Sequence, residues 1–159
     1  MFPVIRRALA ADAEAVHGVI ERAIRVSAAS VYPDGAIEAW AGGRTVEVVC
    51  RMIEETEGLV ATVDRAIVGW ANLDGGDVDQ LYVDPDAGGQ GVARRLYEAV
   101  ERLARDNGLV ELRTVASLRA EVAFRRFGFR EVARGERIFN GHIFAVVRMT
   151  KNLDEATYQ

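Results

Sequence analysis

Residues 81–104 read LYVDPDAGGQGVARRLYEAVERLA. The stretch leaves a strand-like alternation, passes Pro85 and three glycines (Gly88, Gly89 and Gly91), and continues as an amphipathic helix. Val92, Leu96, Ala99, Val100 and Leu103 share one helical face, and Asn107-Gly108 supplies a left-handed closure. No polar N-cap side chain precedes Val92 to accept the first N–H groups. Those donors, with the positive end of the helix dipole behind them, form an anion site, most often one for phosphate. Glycine serves there because the backbone must come close to the ligand and can take a positive φ.

Two phosphate motifs are eliminated by their residues. A P-loop requires Lys after its last glycine, and Val92 follows Gly91. A dinucleotide fingerprint beginning at Gly89 would need glycine where Arg94 stands, and the preceding strands are not in a βαβ pattern.

Outward from the loop, the pattern predicts an opening strand over 3–8 and helices over 11–26, after Pro33-Asp34, and from Thr45 to about residue 57. GLVATVD and AIVGWANL form a hairpin across Asp64-Arg65, and DVDQLYVD is the next strand. Beyond the glycine helix come a strand at LVELRTVA, a helix at LRAEVAFRRF, and closing strands at FREVAR and IFNGHIFAVVRM, the latter turning at Asn140-Gly141. The expected architecture is α/β of the α+β kind: a mixed, mostly antiparallel central sheet with helices on both faces. One domain over 1–151 and a flexible tail over 152–159 account for the 159 residues.

Composition narrows the partners. With 50% hydrophobic and 28% charged residues the chain belongs with globular proteins, and a net charge of -4 provides no field for nucleic acid. MFPVIRRALAAD lacks an apolar leader and no stretch approaches the roughly 20 apolar residues of a membrane span, so a cytoplasmic protein is expected, with no membrane partner. The single cysteine, Cys50, excludes an internal disulfide and reads as a packed thiol on a helical stripe. No metal is implied.

The stretch over 81–104 resembles the signature of the GNAT superfamily of acyl-CoA-dependent N-acyltransferases, in which a strand ending V-x-P leads to a [QR]-x-x-G-x-[GA] loop. Gly91 and Ala93 match its last positions, and Gly88 stands in place of Gln or Arg. ASLRAEVAFRRFGF (116–129) is similar to a second family segment, with Arg119 in place of the usual Asn and Phe124 where Tyr is frequent. The resemblance covers nearly the whole chain in element order. It implies a GNAT-like fold that binds acetyl-CoA through Leu81, Tyr82, Val83, Gly88, Gly89, Gln90, Gly91, Val92, Ala93, Arg94 and Phe124; Arg94 and Arg95, in the first turn of the helix, are candidates to pair with the phosphates, against the ordinary expectation of solvated surface arginines.

The implied reaction is attack by a neutral primary amine on the thioester, whether the amine belongs to a small molecule or to a protein. Asp79, with Asp77 second, is the candidate base at the place where the family's sheet splays. Both alternate on DVDQLYV and are expected on one strand face. Backbone N–H groups at residues 81–83 would stabilise the oxyanion. Ser30, Tyr32 and Trp40 are candidates to contact the acceptor, with Tyr82 beside them. Phe124 has no proton for the departing thiolate, so the acid comes from elsewhere or the thiolate leaves unaided. An acyl-CoA-binding sensor with little catalysis, and a generic phosphate-ligand domain, stay open as rivals. Closing edge strands suit a homodimer.

Overall fold

A computed structural model describes residues 2–27, 29 and 32–156. Strand β1 (Val4–Arg7) leads into helices α1 (Ala13–Ser27), α2 (Asp34–Ala41) and α3 (Val46–Glu55). A meander follows: β2 (Glu57–Val63), β3 (Ala66–Asp74) and β4 (Asp77–Val83). Then come α4 (Val92–Asp106), β5 (Glu111–Ser117), α5 (Leu118–Arg126), β6 (Arg130–Phe139), β7 (His142–Asn152) and the short α6 (Leu153–Ala156).

Local chemistry sets most of these boundaries. Thr45 caps α3 by accepting from the N–H of Val48 at 3.2 Å. Asp64-Arg65 and Asn140-Gly141 all have positive φ, which joins β2 to β3 and β6 to β7 through tight turns whose twist matches the strands. Gly108, at φ 80°, closes α4 where the sequence placed its end.

The seven strands form one sheet in the order β1-β2-β3-β4-β5-β7-β6. Every neighbouring pair is antiparallel except β4 and β5, which run parallel and share a single registered pair, Asp77 with Arg113. One core cluster lies under α4 and α5 and includes Leu73, Val78, Leu96, Leu112, Phe124 and Met149. The other lies under α1, α2 and α3 around Trp70, which is wholly buried. Helices therefore cover both faces of a mostly antiparallel sheet, as the sequence predicts. At Gly69, a Cβ would meet Leu96 Cδ1 at 2.7 Å and Val92 Cγ1 at 2.9 Å, so the missing side chain is what lets α4 lie this close to β3.

Three features depart from the expected pattern. The register of β3 on β4 shifts so that Asn72 faces Gln80 and Leu73 faces Val78, leaving Asp79 as the extra residue of a β-bulge. Val78 packs under α4 while Gln80, two residues on, accepts from the indole of Trp70 on the opposite side at 2.9 Å. Strict alternation, the basis for placing Asp77 and Asp79 together, is broken at this point. Next, β6 extends to Phe139 rather than ending near residue 134, and its ten residues form an exposed edge. Finally, the residues set apart as a tail include Leu153, which is buried in the core, its N–H donating to Val110 at 2.9 Å. No described helix is long and apolar enough to cross a membrane.

Candidate active site

The chain between β4 and α4 is built to present backbone donors. Asp84 turns the strand, its carboxylate accepting from the N–H of Asp86 at 3.0 Å and from Arg22 of α1. A single 3-10 turn over Pro85–Ala87 follows, and then the exposed residues 88–91. Gly89 and Gly91 have φ of 79° and 76°, and a Cβ on either would meet nothing within 4 Å. Gly91 is the N-cap of α4 and provides no side-chain hydrogen bond, and the first turn holds no acidic residue. Val92, 2% exposed, anchors the helix in the core. The uncapped N–H groups thus face open space at the positive end of a fifteen-residue helix, and the residues fit a phosphate.

Positive charge surrounds this end. A groove between α4 and α5 is lined by Ala93, Arg94, Leu118, Arg119, Val122 and Arg126 among others. Arg94 lies over the ring of Phe127 at 5.4 Å, and Arg95 over that of Phe2 at 5.1 Å. Arg119, noted in the sequence only as a departure from pattern, supplies one of the groove's guanidinium groups.

Because β4 and β5 pair only at Asp77, they part beyond Thr114, whose hydroxyl donates to the carbonyl of Val78 at 2.8 Å. Alternate backbone groups along the rest of β4 are left without a strand on that side. A cavity of about 140 Å³ occupies the opening. Its walls come from residues 78–82 of β4, from residues 114–117 of β5, from Ala120 and Phe124 of α5, and from the α2 side and the β6–β7 hairpin.

The two candidate carboxylates are separated. Asp79 lines this cavity, and the buried amide of Asn72 donates to it at 3.2 Å. Asp77 lines a different groove and is engaged by Arg113 at 2.9 Å. Leu81 and Tyr82 line the cavity, whereas Val83 packs under α4. Burial raises the phenol of Tyr82; the charge of Arg44 opposes that shift and the charge of Asp79 adds to it.

Tyr32 and Trp40 both reach the cavity wall, where they form an edge-to-face cluster with Phe144, ring centroids 5.5–5.6 Å apart. The Tyr32 hydroxyl donates to the carbonyl of Ala145 at 3.0 Å and accepts from the N–H of Leu118 at 3.1 Å. Its proton is thus committed to the protein. Ser30 lies outside the described residues. Phe124 lines the cavity, 3% exposed, with its ring edge-on to Phe127 and Phe129. Cys50 does not line it; its thiol donates to Glu54 at 3.2 Å, and that carboxylate raises its pKa.

Asn72, Arg44, Arg137 and Phe139 line or support the cavity without having been singled out from the sequence. Asn72 sits at a position where strand alternation calls for an apolar residue, and a buried Asn is itself a signal of a polar partner. Arg44 follows two glycines in a turn, where surface exposure is the ordinary expectation.

The fold is shared with known proteins. The Acetyltransferase (GNAT) domain family matches residues 28–153. A GCN5-related N-acetyltransferase from Rhodopseudomonas palustris, described as "Aminotransferase, Class-II", superposes with a TM-score of 0.93 at 31% identity, over 96% of this chain and 97% of that one. The PaiA N-acetyltransferase of Thermoplasma acidophilum, solved with coenzyme A, gives 0.79 at 18% identity over 96% and 99% of the two chains. A phosphinothricin acetyltransferase from Sinorhizobium meliloti, solved with acetyl-CoA, gives 0.76 at 18% identity over 100% and 92%. Among proteins with curated descriptions, none matches the sequence.

Proposed function

The chain belongs to the GNAT acetyltransferase family, and we propose that it transfers an acetyl or other short acyl group from acetyl-CoA to a primary amine by direct attack. The observation that carries this reading is the parting of β4 from β5. It opens a cavity that holds Asp79 on the strand leading into the uncapped glycine loop.

In the proposed reaction the pyrophosphate of acetyl-CoA rests on the N–H groups of residues 89–93, with Arg94 and Arg119 beside it. The thioester lies in the gap, where the N–H groups of Leu81 and Val83, which face away from β3, receive the developing oxyanion. The acceptor enters from the side of Tyr32, Trp40 and Tyr82. Its nitrogen lone pair bonds to the carbonyl carbon, the carbon–sulfur bond breaks, and coenzyme A leaves as thiolate. The ammonium proton passes to Asp79, oriented by Asn72. Phe124 provides no acid, and a thiol pKa of roughly 8.5 makes the thiolate a fair leaving group without one. No resident metal enters the scheme, and the protein is proposed to work in the cytoplasm.

Phe124 also motivates the second reading, a sensor that binds acyl-CoA without turnover. Calorimetric titration with coenzyme A and acetyl-CoA, with ATP and NAD as controls, is combined with thiol release in the presence of amines. Selective binding with amine-dependent release supports transfer; binding without release under any amine supports the sensor. Absence of binding removes both.

A further inference from the structure

We propose that the acceptor is an amine that also carries a carboxylate, and that Arg44 receives that carboxylate; this rests on the acyltransferase reading and names its substrate class. Arg44 lines the same cavity as Asp79. Its backbone is fixed on both sides: the ring N–H of His17 donates to the Arg44 carbonyl at 2.9 Å, and the next residue, Thr45, caps α3. The β6–β7 hairpin closes over the same turn, with Phe139 and Asn140 against Gly43 and the Asn140 amide donating to Ala39 at 3.0 Å.

The guanidinium is held, in part by a hydrogen bond to the Tyr82 hydroxyl, but it is not fully satisfied. Nη1 of Arg44 is buried without a hydrogen-bond partner among the described residues, while its centre lies over the Phe139 ring at 6.0 Å. Arg22 and Arg113, by contrast, are each paired with an aspartate. A buried charged donor left unpaired is unfavourable, and a forked carboxylate is the group whose geometry relieves it. Arg137 adds a second positive group to the lining.

Charge placement completes the argument. The phenol of Tyr82 is subject both to Arg44 and to Asp79, so an anion site and a cation site face one hydroxyl in one cavity. That arrangement is complementary to a small zwitterion, its amine at Asp79 and its carboxylate at Arg44. Tyr32, Trp40 and Phe144 form an aromatic wall for an apolar substituent. An amino-acid-like acceptor satisfies all three elements, whereas a simple alkylamine leaves Nη1 of Arg44 unpaired.

The test compares acceptors that differ by one carboxylate, phenylalanine against phenethylamine and leucine against isoamylamine, using acetyl-CoA as donor. In the wild type the acids are expected to have a kcat/KM about tenfold or more above their decarboxylated partners, mainly through KM. Arg44→Gln abolishes that ratio and Arg44→Lys restores part of it. A wild-type preference for the simple amines, or an Arg44→Gln loss equal for both members of each pair, overturns the proposal while leaving acyl transfer intact. Binding of N-acetylphenylalanine in the presence of coenzyme A, read by calorimetry, needs no turnover. Weakening of about tenfold in Arg44→Gln sustains the proposal, and no binding by the wild type overturns it. Absence of thiol release with every amine would sink the transfer reading, and the calorimetric result would still decide Arg44.

Discussion

Arg22 Nη2 lies 2.6 Å from Asp84 Oδ2, joining α1 to the residue that turns β4 into the glycine loop. The two are 62 positions apart, and the contact orients the loop from the far side of the sheet. Burial alone would raise the Asp84 carboxyl; the N–H of Asp86 and the Arg22 guanidinium outweigh it and hold it below the ordinary carboxylate range.

A group depressed on folding stabilises the native state above its unfolded pKa, about 3.9 for Asp, and that stabilisation disappears as pH falls through the lower folded value. Arg22→Ala is expected to cost about 1–2 kcal/mol at pH 7, reduced from a buried pair because Arg22 is half exposed. Urea unfolding at pH 7 and near pH 2 checks this: the gap between wild type and variant should close in acid. A gap independent of pH would mean that packing, not charge, joins the two.

Gly91→Ala places a Cβ at φ 76° in the space before α4. The left-handed conformation costs a non-glycine residue about 1–2 kcal/mol. Coenzyme A affinity should fall by about tenfold or more, since the phosphate must approach the backbone closely. Calorimetry on a variant shown to be folded by circular dichroism decides it, and unchanged affinity would make the loop a structural turn.

Asp79→Asn is expected to lower amine-dependent turnover by about 10²-fold or more with coenzyme A binding kept. Asp77→Asn should leave turnover close to the wild type, because Asp77 serves Arg113 outside the cavity. Equal losses in the two variants would point to the acidity of the region rather than to a base at Asp79.

Phe124→Tyr should raise kcat by about a hundredfold, the lower end of the range for general acid assistance. The gain should appear in kcat and not in the affinity for coenzyme A. No gain would indicate that thiolate departure does not limit the reaction.

Gly69→Ala is expected to destabilise the fold by about 1–3 kcal/mol through overpacking against Leu96 and Val92. Val92 begins α4, so coenzyme A binding should weaken in the same variant. Thermal unfolding and calorimetry read the two effects on one sample, and a loss of stability with intact binding would separate the core from the loop.

The glycine loop was legible because its signals are local. A missing cap, three glycines within four residues and a helical stripe can be read without knowing what lies across the sheet. The same holds for the turn at Asn140-Gly141 and for the Thr45 cap. Asp79 was singled out by position and does line the cavity, yet its strand face was argued from an alternation that the bulge interrupts. A bulge depends on how β3 registers against β4, and neither strand encodes that alone. Arg44 was not legible at all: its turn carries no pattern, and its burial arises only when the β6–β7 hairpin packs down some ninety residues later in the chain.

Period, capping and glycine placement by themselves determined the elements, their order and an uncapped helix N-terminus at the start of α4, since each is a property of a few adjacent residues. The tertiary structure alone decided that β4 and β5 part after one pair, that Asp79 and Arg44 face a common cavity, and that Asp77 faces another. Those relationships depend on register and packing between segments far apart in the chain, where side-chain volume and hydrogen-bond demand are settled jointly rather than locally.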